Sequence, residues 1–196
     1  MHHADSVSDP LQRIQNWLED ARAVVAEPGA MTLATSTPAG RPSARVVLLR
    51  GVDERGLVFF TNRESRKGEE LRTNPHAALV LHWWELGRQV RVEGRVEEVS
   101  EAESDAYWSR RPRGSQIAAW ASRQSRPLAD RAELDAAVGE AAARFADAPV
   151  PRPRFWGGYR VYPDAVELWE HRDDRLHDRV RYTREGDDWR VERLAP

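Results

Sequence analysis

The sequence contains no cysteine, which excludes disulfides, thiolate nucleophiles and thiolate-ligated zinc or iron–sulfur centres together. Lysine is almost as scarce: the 30 Lys+Arg include a single lysine, Lys67, and therefore 29 arginines. An Arg-favouring codon composition accounts for much of this bias. Against it, the one lysine marks a position where a compact ammonium is wanted. No run of about 18 apolar residues is present to span a membrane, and Met1-His2-His3-Ala4-Asp5 lacks the basic-then-apolar order of a signal peptide, so a cytoplasmic protein is expected. The six histidines are scattered and form no metal-ligand spacing. A net charge of −2 lacks the overall positive field that non-specific nucleic-acid binding needs.

What is present fits one soluble domain. With 196 residues, 40% hydrophobic and 32% charged, the chain can bury roughly 70% of its unfolded surface as a single unit over 1–196, with 1–8 expected to be flexible. Asp9-Pro10 is a helix start, and Leu11, Ile14, Trp17, Leu18, Ala21, Val24 and Val25 follow a helical stripe up to the stop at Glu27-Pro28-Gly29. From Ala30 the period becomes that of strands. Met31 to Ser36, Ser43 to Arg50 and Leu57 to Thr61 are joined by the turns Thr37-Pro38-Ala39-Gly40 and Asp53-Glu54-Arg55-Gly56, which suggests an antiparallel meander. In the second strand Arg45 and Arg50 flank Val46-Val47-Leu48-Leu49, and a continuous apolar run of this kind predicts burial on both faces.

Ser65-Arg66-Lys67 opens a helix that Ser65 is expected to cap. Two cations at a helix N-terminus are disfavoured by ~0.3–1 kcal/mol unless an anion lies between them, so either this is a phosphate site or it is dipole-opposed surface charge. After Asn74-Pro75, Ala77 to Trp84 forms an apolar strand. Gln89 to Val99 then alternates, with Val90, Val92 and Val96 inward. Ser100 and Glu103 make a capping box ahead of Tyr107 and Trp108. The basic loop Arg110-Arg111-Pro112-Arg113-Gly114-Ser115-Gln116 opens a helix at Ile117 to Ala121, and is either a second anion pocket or a solvated loop. A helix from about Ala129 to Phe145 and a Pro-rich connector lead to strands at Trp156 to Tyr162, Ala165 to Glu170, Asp178 to Thr183 and Trp189 to Leu194. The pattern is α+β: an antiparallel barrel with peripheral helices.

Within Arg175-Leu176-His177-Asp178-Arg179, two guanidiniums and an imidazole fall on alternate residues, and a strand period of two would place them on one face. Such a face suits an anionic, planar ligand, because Arg presents a rigid donor fork and His exchanges a proton near neutrality. A solvated strand edge with Asp178 pairing a neighbouring arginine is the alternative.

The chain resembles the pyridoxine/pyridoxamine 5′-phosphate oxidases over nearly its whole length. The matching pieces are Arg45-Val-Val-Leu-Leu-Arg50, Phe60-Thr-Asn62 with Ser65-Arg66-Lys67, Arg88-Gln89-Val90, Ser109 to Gln116, Ser122 to Ser125, Phe155 to Gly158, and Glu167-x-Trp169 leading to Arg175 to Arg179. The resemblance implies an FMN-binding split β-barrel, active as a homodimer with FMN at the interface. It further implies hydride transfer from the C4′ carbon of a phosphorylated pyridine to flavin N5, then reoxidation by O2 to hydrogen peroxide. FMN would be held by Arg45, Val46, Val47, Leu48, Phe60, Thr61, Arg66, Lys67, Gln89, Gln124, Ser125, Trp169 and Arg179. Substrate would be bound by Arg50, Tyr107, Arg111 and Ser115 at its phosphate, with Arg175 and His177 over the ring as the catalytic pair. His177 would either hydrogen-bond the substrate or assist proton removal.

Three departures from the family pattern are visible. Few residues precede Pro10 where the family has a basic, Tyr-containing closing segment, so part of that segment is expected to be missing. Arg50 replaces the usual Lys, and Glu170 the usual Gln. Other readings are a related FMN oxidase of secondary metabolism, of the phenazine-pathway type, and a non-catalytic flavin or pyridoxal-phosphate carrier.

Overall fold

The computed structural model describes residues 9–196, so the expectation for 1–8 lies outside the described residues. Helix α1 (Pro10–Arg22) starts as the sequence dictates: the Asp9 carboxylate accepts the Leu11 N–H at 3.0 Å, and Pro10 occupies the first turn where no N–H is needed. Leu11, Ile14, Trp17 and Ala21 are buried along one face. The helix ends at Arg22, ahead of the Pro28-Gly29 stop, and leaves Val24 exposed.

Eight strands follow: β1 (Ala30–Ser36), β2 (Pro42–Asp53), β3 (Gly56–Asn62), β4 (His76–Trp83), β5 (Arg88–Glu98), β6 (Trp156–Glu170), β7 (Asp178–Glu185) and β8 (Asp188–Arg193). Their order in the sheet is β3-β2-β1-β4-β5-β6-β7-β8, and a further β3–β6 pairing closes the first six into an antiparallel barrel. The α+β architecture expected from the sequence is therefore present. The two strands expected at 156–162 and 165–170 are one strand. The first part of β6 pairs with β3 and the last part with β7, while β5 runs beside it throughout, so Pro163-Asp164 marks a change of partner rather than a turn. A bulge at Glu93/Gly94 accommodates that change, and Gly94 is obligatory there because a Cβ would lie 2.0 Å from the Tyr162 carbonyl oxygen.

The barrel is filled by Leu33, Leu57, Phe59, Leu79, Leu81, Val90, Val92, Val161 and Val166, and α1 covers it. A second apolar cluster lies under helices α3 (Glu101–Trp108), α4 (Arg113–Ala121) and α5 (Arg131–Phe145), where Trp108, Ile117, Ala141, Phe145 and Trp156 meet. The Ser100–Glu103 capping box is formed. Helix α4 begins four residues earlier than expected. Arg113 is therefore helical, and it donates to the Ala146 and Ala148 carbonyls at the end of α5. No helix among the described residues is long and apolar enough to cross a membrane.

Candidate active site

At the seam between the barrel and the α3–α4 layer lies a cavity of about 380 Å3. Its lining is Arg45, Val46, Val47, Leu48 and Arg50 from β2, Phe60 and Thr61 from β3, Lys67 from α2 (Arg66–Thr73), and Tyr107, Arg111 and Gln124 from the helical layer. The expectation that β2 is buried on both faces fails here. Val46 is 67% exposed, because only the β1 and β3 edges of β2 are paired and its outer face is the cavity wall.

Lys67 is buried in one part of this wall. Its Nζ donates to Thr61 Oγ1 at 3.1 Å, Ser65 Oγ at 3.1 Å and Gln124 Oε1 at 2.8 Å, all neutral acceptors. Ser65 is not the expected side-chain cap: its hydroxyl donates to the Asn62 carbonyl at 2.6 Å and receives Lys67. Helix α2 can press this close only because residue 68 is glycine, since a Cβ would lie 1.9 Å from the Arg63 carbonyl oxygen. Burial, reinforced by the Arg45 charge, lowers the Lys67 pKa to about 8. A lysine depressed in the folded state disfavours folding fully below about pH 8. That cost is relieved as pH rises from about 8 toward the ordinary 10.5, unless an anion restores the charged form.

Arg66 does not line the cavity; it is exposed and bridges Glu70 Oε1 through Nε at 2.9 Å. Ser125 lies in the neighbouring loop in a left-handed conformation, with φ 70°. Of the three arginines in the basic loop, only Arg111 reaches the cavity. Arg110 donates to Ala106 O in its own helix and Arg113 caps α5. Arg111 stacks on Trp156 at 4.7 Å and on Trp108 at 5.6 Å, and its Nη2 donates to the Ser115 carbonyl at 3.0 Å. Ser115 thus contributes its backbone to Arg111. The Arg111 Nε is buried with no hydrogen-bond partner among the described residues. Burial lowers the Arg111 pKa, Tyr107 opposes this, and the like charge of Arg50 adds to it. Phe60 and Tyr107 stack in parallel at 4.1 Å and continue the aromatic wall to Trp156.

The remaining candidates form a separate cluster. Gln89, Trp169 and Arg179 are register partners across β5, β6 and β7, and the His177 ring lies 4.5 Å from Trp169. Arg175, His177 and Arg179 do not share a strand face. β7 begins at Asp178; Asp174 and Arg175 are left-handed, with φ 53° and 62°, and Arg175 closes a 3-10 turn. Two consecutive non-glycine residues in this conformation store local strain at the loop tip. Asp178 pairs with Arg172 at 2.7 Å, the local ion pair foreseen from the sequence. The Arg172 N–H donates to His177 Nδ1 at 3.1 Å, which places the proton of the neutral ring on Nε2. Arg179 donates to Glu167 at 2.9 Å and to the Ala195 carbonyl at 2.9 Å. Glu170 is matched by Arg88 at 3.4 Å, and Arg88 in turn by Asp20 of α1 at 2.7 Å, so its charge is internally paired.

Sequence reasoning missed the residues that hold these arginines: Glu70, Thr35 and Ser43 around Arg45, Glu167 beside Arg179, and the two tryptophans under Arg111. The only signal available was Ser43 two residues before Arg45 on the same strand face, with Glu70 one helical turn after Arg66.

Comparison with known proteins locates the arrangement. The profile of a family described as pyridoxamine 5′-phosphate oxidase matches residues 18–145. A pyridoxine 5′-phosphate oxidase C-terminal dimerisation region matches 156–196. A pyridoxine/pyridoxamine 5′-phosphate oxidase of Rubrobacter xylanophilus is 57% identical over 189 residues, 96% of this chain and 87% of that protein. A second, from Ralstonia nicotianae, is 57% identical over 195 residues, 98% of this chain and 92% of that protein. Among solved structures, PhzG from Burkholderia lata in complex with tetrahydrophenazine-1-carboxylic acid superimposes with a TM-score of 0.93 at 39% identity, covering 98% of this chain and 95% of that one. A pyridoxamine 5′-phosphate oxidase-related, FMN-binding protein of Nostoc punctiforme shares the fold, with a TM-score of 0.76 at 20% identity over 94% of this chain and 96% of that one.

Proposed function

The chain belongs to the pyridoxamine 5′-phosphate oxidase family, and from that membership we propose that it is an FMN-dependent oxidase. It converts pyridoxamine 5′-phosphate, pyridoxine 5′-phosphate or both to pyridoxal 5′-phosphate, with O2 as acceptor and hydrogen peroxide as by-product. The observation that carries this reading is one cavity with two cationic groups along β2: Arg45 with Lys67, and Arg50 with Arg111. Arg50 lies five positions after Arg45 along the strand, about 17 Å of backbone, enough for the phosphates of two different molecules.

The donor set fits FMN. Lys67 is a buried ammonium bonded only to neutral oxygens, and Arg45 beside it is a second donor, which is the environment a phosphate monoester completes. Bound FMN would supply the two-electron acceptor for oxidation at the substrate C4′ carbon and the O2 chemistry that follows. The rest falls to the chain itself. The open face of Val46, Val47 and Leu48 offers a flat apolar wall with backbone groups at its edge, and Thr61 and Gln124 steady the Lys67 ammonium. Arg111, immobilised on Trp156, and Arg50 hold the substrate phosphate, so that binding energy remote from C4′ orients the ring.

Gln89, Trp169, Arg175, His177 and Arg179 do not line this cavity in the protomer. Trp169 and the three residues after it in this group lie in the segment matched by the dimerisation region. In a homodimer the partner's copy of this cluster faces the cavity and completes the site with FMN at the interface. There Arg175 covers the substrate ring. His177 donates from Nε2 rather than accepting a proton there, because its Nδ1 lone pair is committed to the Arg172 N–H.

Mixing the yellow protein anaerobically with pyridoxamine 5′-phosphate should bleach the flavin, and air should restore the colour with release of pyridoxal 5′-phosphate. A second reading, an oxidase of the phenazine-pathway type, is favoured by the likeness to PhzG. Bleaching by a dihydro- or tetrahydrophenazine carboxylate but not by the phosphorylated pyridine would select it. Bleaching by neither, with flavin bound, would leave a carrier.

FMN affinity should depend on pH with a definite sign. Below about pH 8 Lys67 is already charged in the apoprotein, whereas above it each FMN bound must draw a proton onto Lys67. Affinity should therefore fall roughly threefold to tenfold between pH 8 and 9, with proton uptake on binding. Flat affinity across this range would show that Lys67 does not meet the phosphate.

A further inference from the structure

Among the described residues Glu70 is the one buried carboxylate beside the Lys67 group, with 5% of the residue exposed, and both its oxygens are in use. Oε1 accepts from Arg66 Nε at 2.9 Å. Oε2 accepts from Ser43 Oγ at 2.6 Å, from Arg45 Nη2 at 3.2 Å and from Thr35 Oγ1. Thr35 and Ser43 are register partners on β1 and β2, and each hydroxyl also accepts from Arg45. Each therefore relays a hydrogen bond, taking a proton donor from the guanidinium and giving its own to the carboxylate. Burial pushes the Glu70 pKa up, but the bonds from Ser43, Thr35, Arg66 and Arg45 outweigh it and hold the carboxyl ionised, at about 2.

We propose that Glu70 is the positioning residue of the cofactor-phosphate site: with Thr35 and Ser43, its carboxylate fixes Arg45 beside Lys67, so that the two cations form one preset pair, while its other oxygen ties down Arg66 outside the cavity. This rests on the reading of the Lys67 end of the cavity as the FMN-phosphate pocket. Free arginine side chains would lose much rotamer freedom on meeting a phosphate, and anchoring them beforehand removes that cost from binding. The anchoring uses four of the five Arg45 donors, on the Leu33 carbonyl, Thr35, Ser43 and Glu70, and leaves Nε for a phosphate.

The test compares FMN with riboflavin, which lacks the phosphate, by titrating the full-length apoprotein and following flavin fluorescence. In the parent, FMN should bind more tightly than riboflavin; if it does not, the phosphate-pocket reading itself falls, and this proposal with it. Glu70→Gln replaces one oxygen with an NH2 that cannot accept from Arg66 or from the hydroxyls. FMN affinity should drop fivefold to tenfold with riboflavin affinity unchanged. Ser43→Ala, which removes one relay and leaves the carboxylate, should lower the same ratio about threefold, and decides the matter if Glu70→Gln does not fold. Equal losses for both flavins would mean a structural role only, and tighter FMN binding would mean that Glu70 merely offsets charge. Either result, or an unchanged ratio, overturns the proposal.

Discussion

Lys67→Ala is expected to weaken FMN binding roughly tenfold to a hundredfold while leaving the fold intact. The range follows from the loss of one charge-assisted hydrogen bond, ~1.5–3 kcal/mol, at 1.4 kcal/mol per factor of ten. Two features of the site bear on the size. The ammonium is buried, so its attraction for a phosphate is less screened than that of a surface lysine. Against this, Arg45 remains in place on Thr35, Ser43 and Glu70 and still offers a donor. Folding should survive, because the substitution removes a charge whose burial is itself unfavourable, as the depressed pKa of about 8 records. Thr61 and Ser65 lose a donor, yet Thr61 Oγ1 keeps its bond to Gln124 and Ser65 Oγ its bond to Asn62 O. Flavin titration of the apoprotein with circular dichroism as the control measures this. An unchanged dissociation constant would return Lys67 to the role of a buried structural cation.

The division between what could be read from the sequence and what could not follows the range of the interactions. Asp9-Pro10, the Ser100–Glu103 box and the alternation of Val90, Val92 and Val96 are local signals, and each produced the element it announced. Lys67 stood out by scarcity, and every residue lining the cavity is among those that the family resemblance implies for cofactor or substrate. The failures concern where a strand begins and what lies on its other side. Arg175-x-His177-x-Arg179 has the spacing of a strand face, but pairing starts only where Asp178 meets Glu170, and spacing alone cannot tell a strand from the turn that leads into it. Val46 to Leu49 reads as doubly buried because its apolar run is continuous. In the protomer one face is open, and a run that awaits a ligand or a partner looks the same in sequence as one that awaits a core. Glu70 and Glu167 were invisible for a different reason: a carboxylate that organises arginines across strands and a helix is indistinguishable in sequence from the many that face water.

Arg111→Ala separates the two cationic groups by acting on one alone. The protein should still purify yellow, since Arg111 touches none of the groups around Lys67, but its use of the phosphorylated substrate should suffer. Loss of one charged contact to phosphate corresponds to about 2–3 kcal/mol, so kcat/KM should fall roughly 30-fold to 150-fold. The Arg111 guanidinium is held ready for an anion, being stacked on Trp156 and Trp108, tied to the Ser115 carbonyl, and left with a buried Nε that has no partner among the described residues. Truncation to alanine removes that orphaned donor together with the stack, so part of any stability change is a compensating gain. Arg50 stays, and its wide fork retains part of the phosphate affinity, which sets the upper end of the range. Because the phosphate is remote from C4′, most of the loss should appear in KM; a fall in kcat as well would mean that phosphate binding energy also aligns the ring. The decisive control is unphosphorylated pyridoxamine, which cannot use Arg111 in either protein. Its kcat/KM should be nearly the same in parent and variant, so that the preference for the phosphorylated compound shrinks by the full factor. If Arg111→Ala preserves that preference, Arg111 is not the phosphate ligand, and the likeness to PhzG becomes the better guide to the substrate.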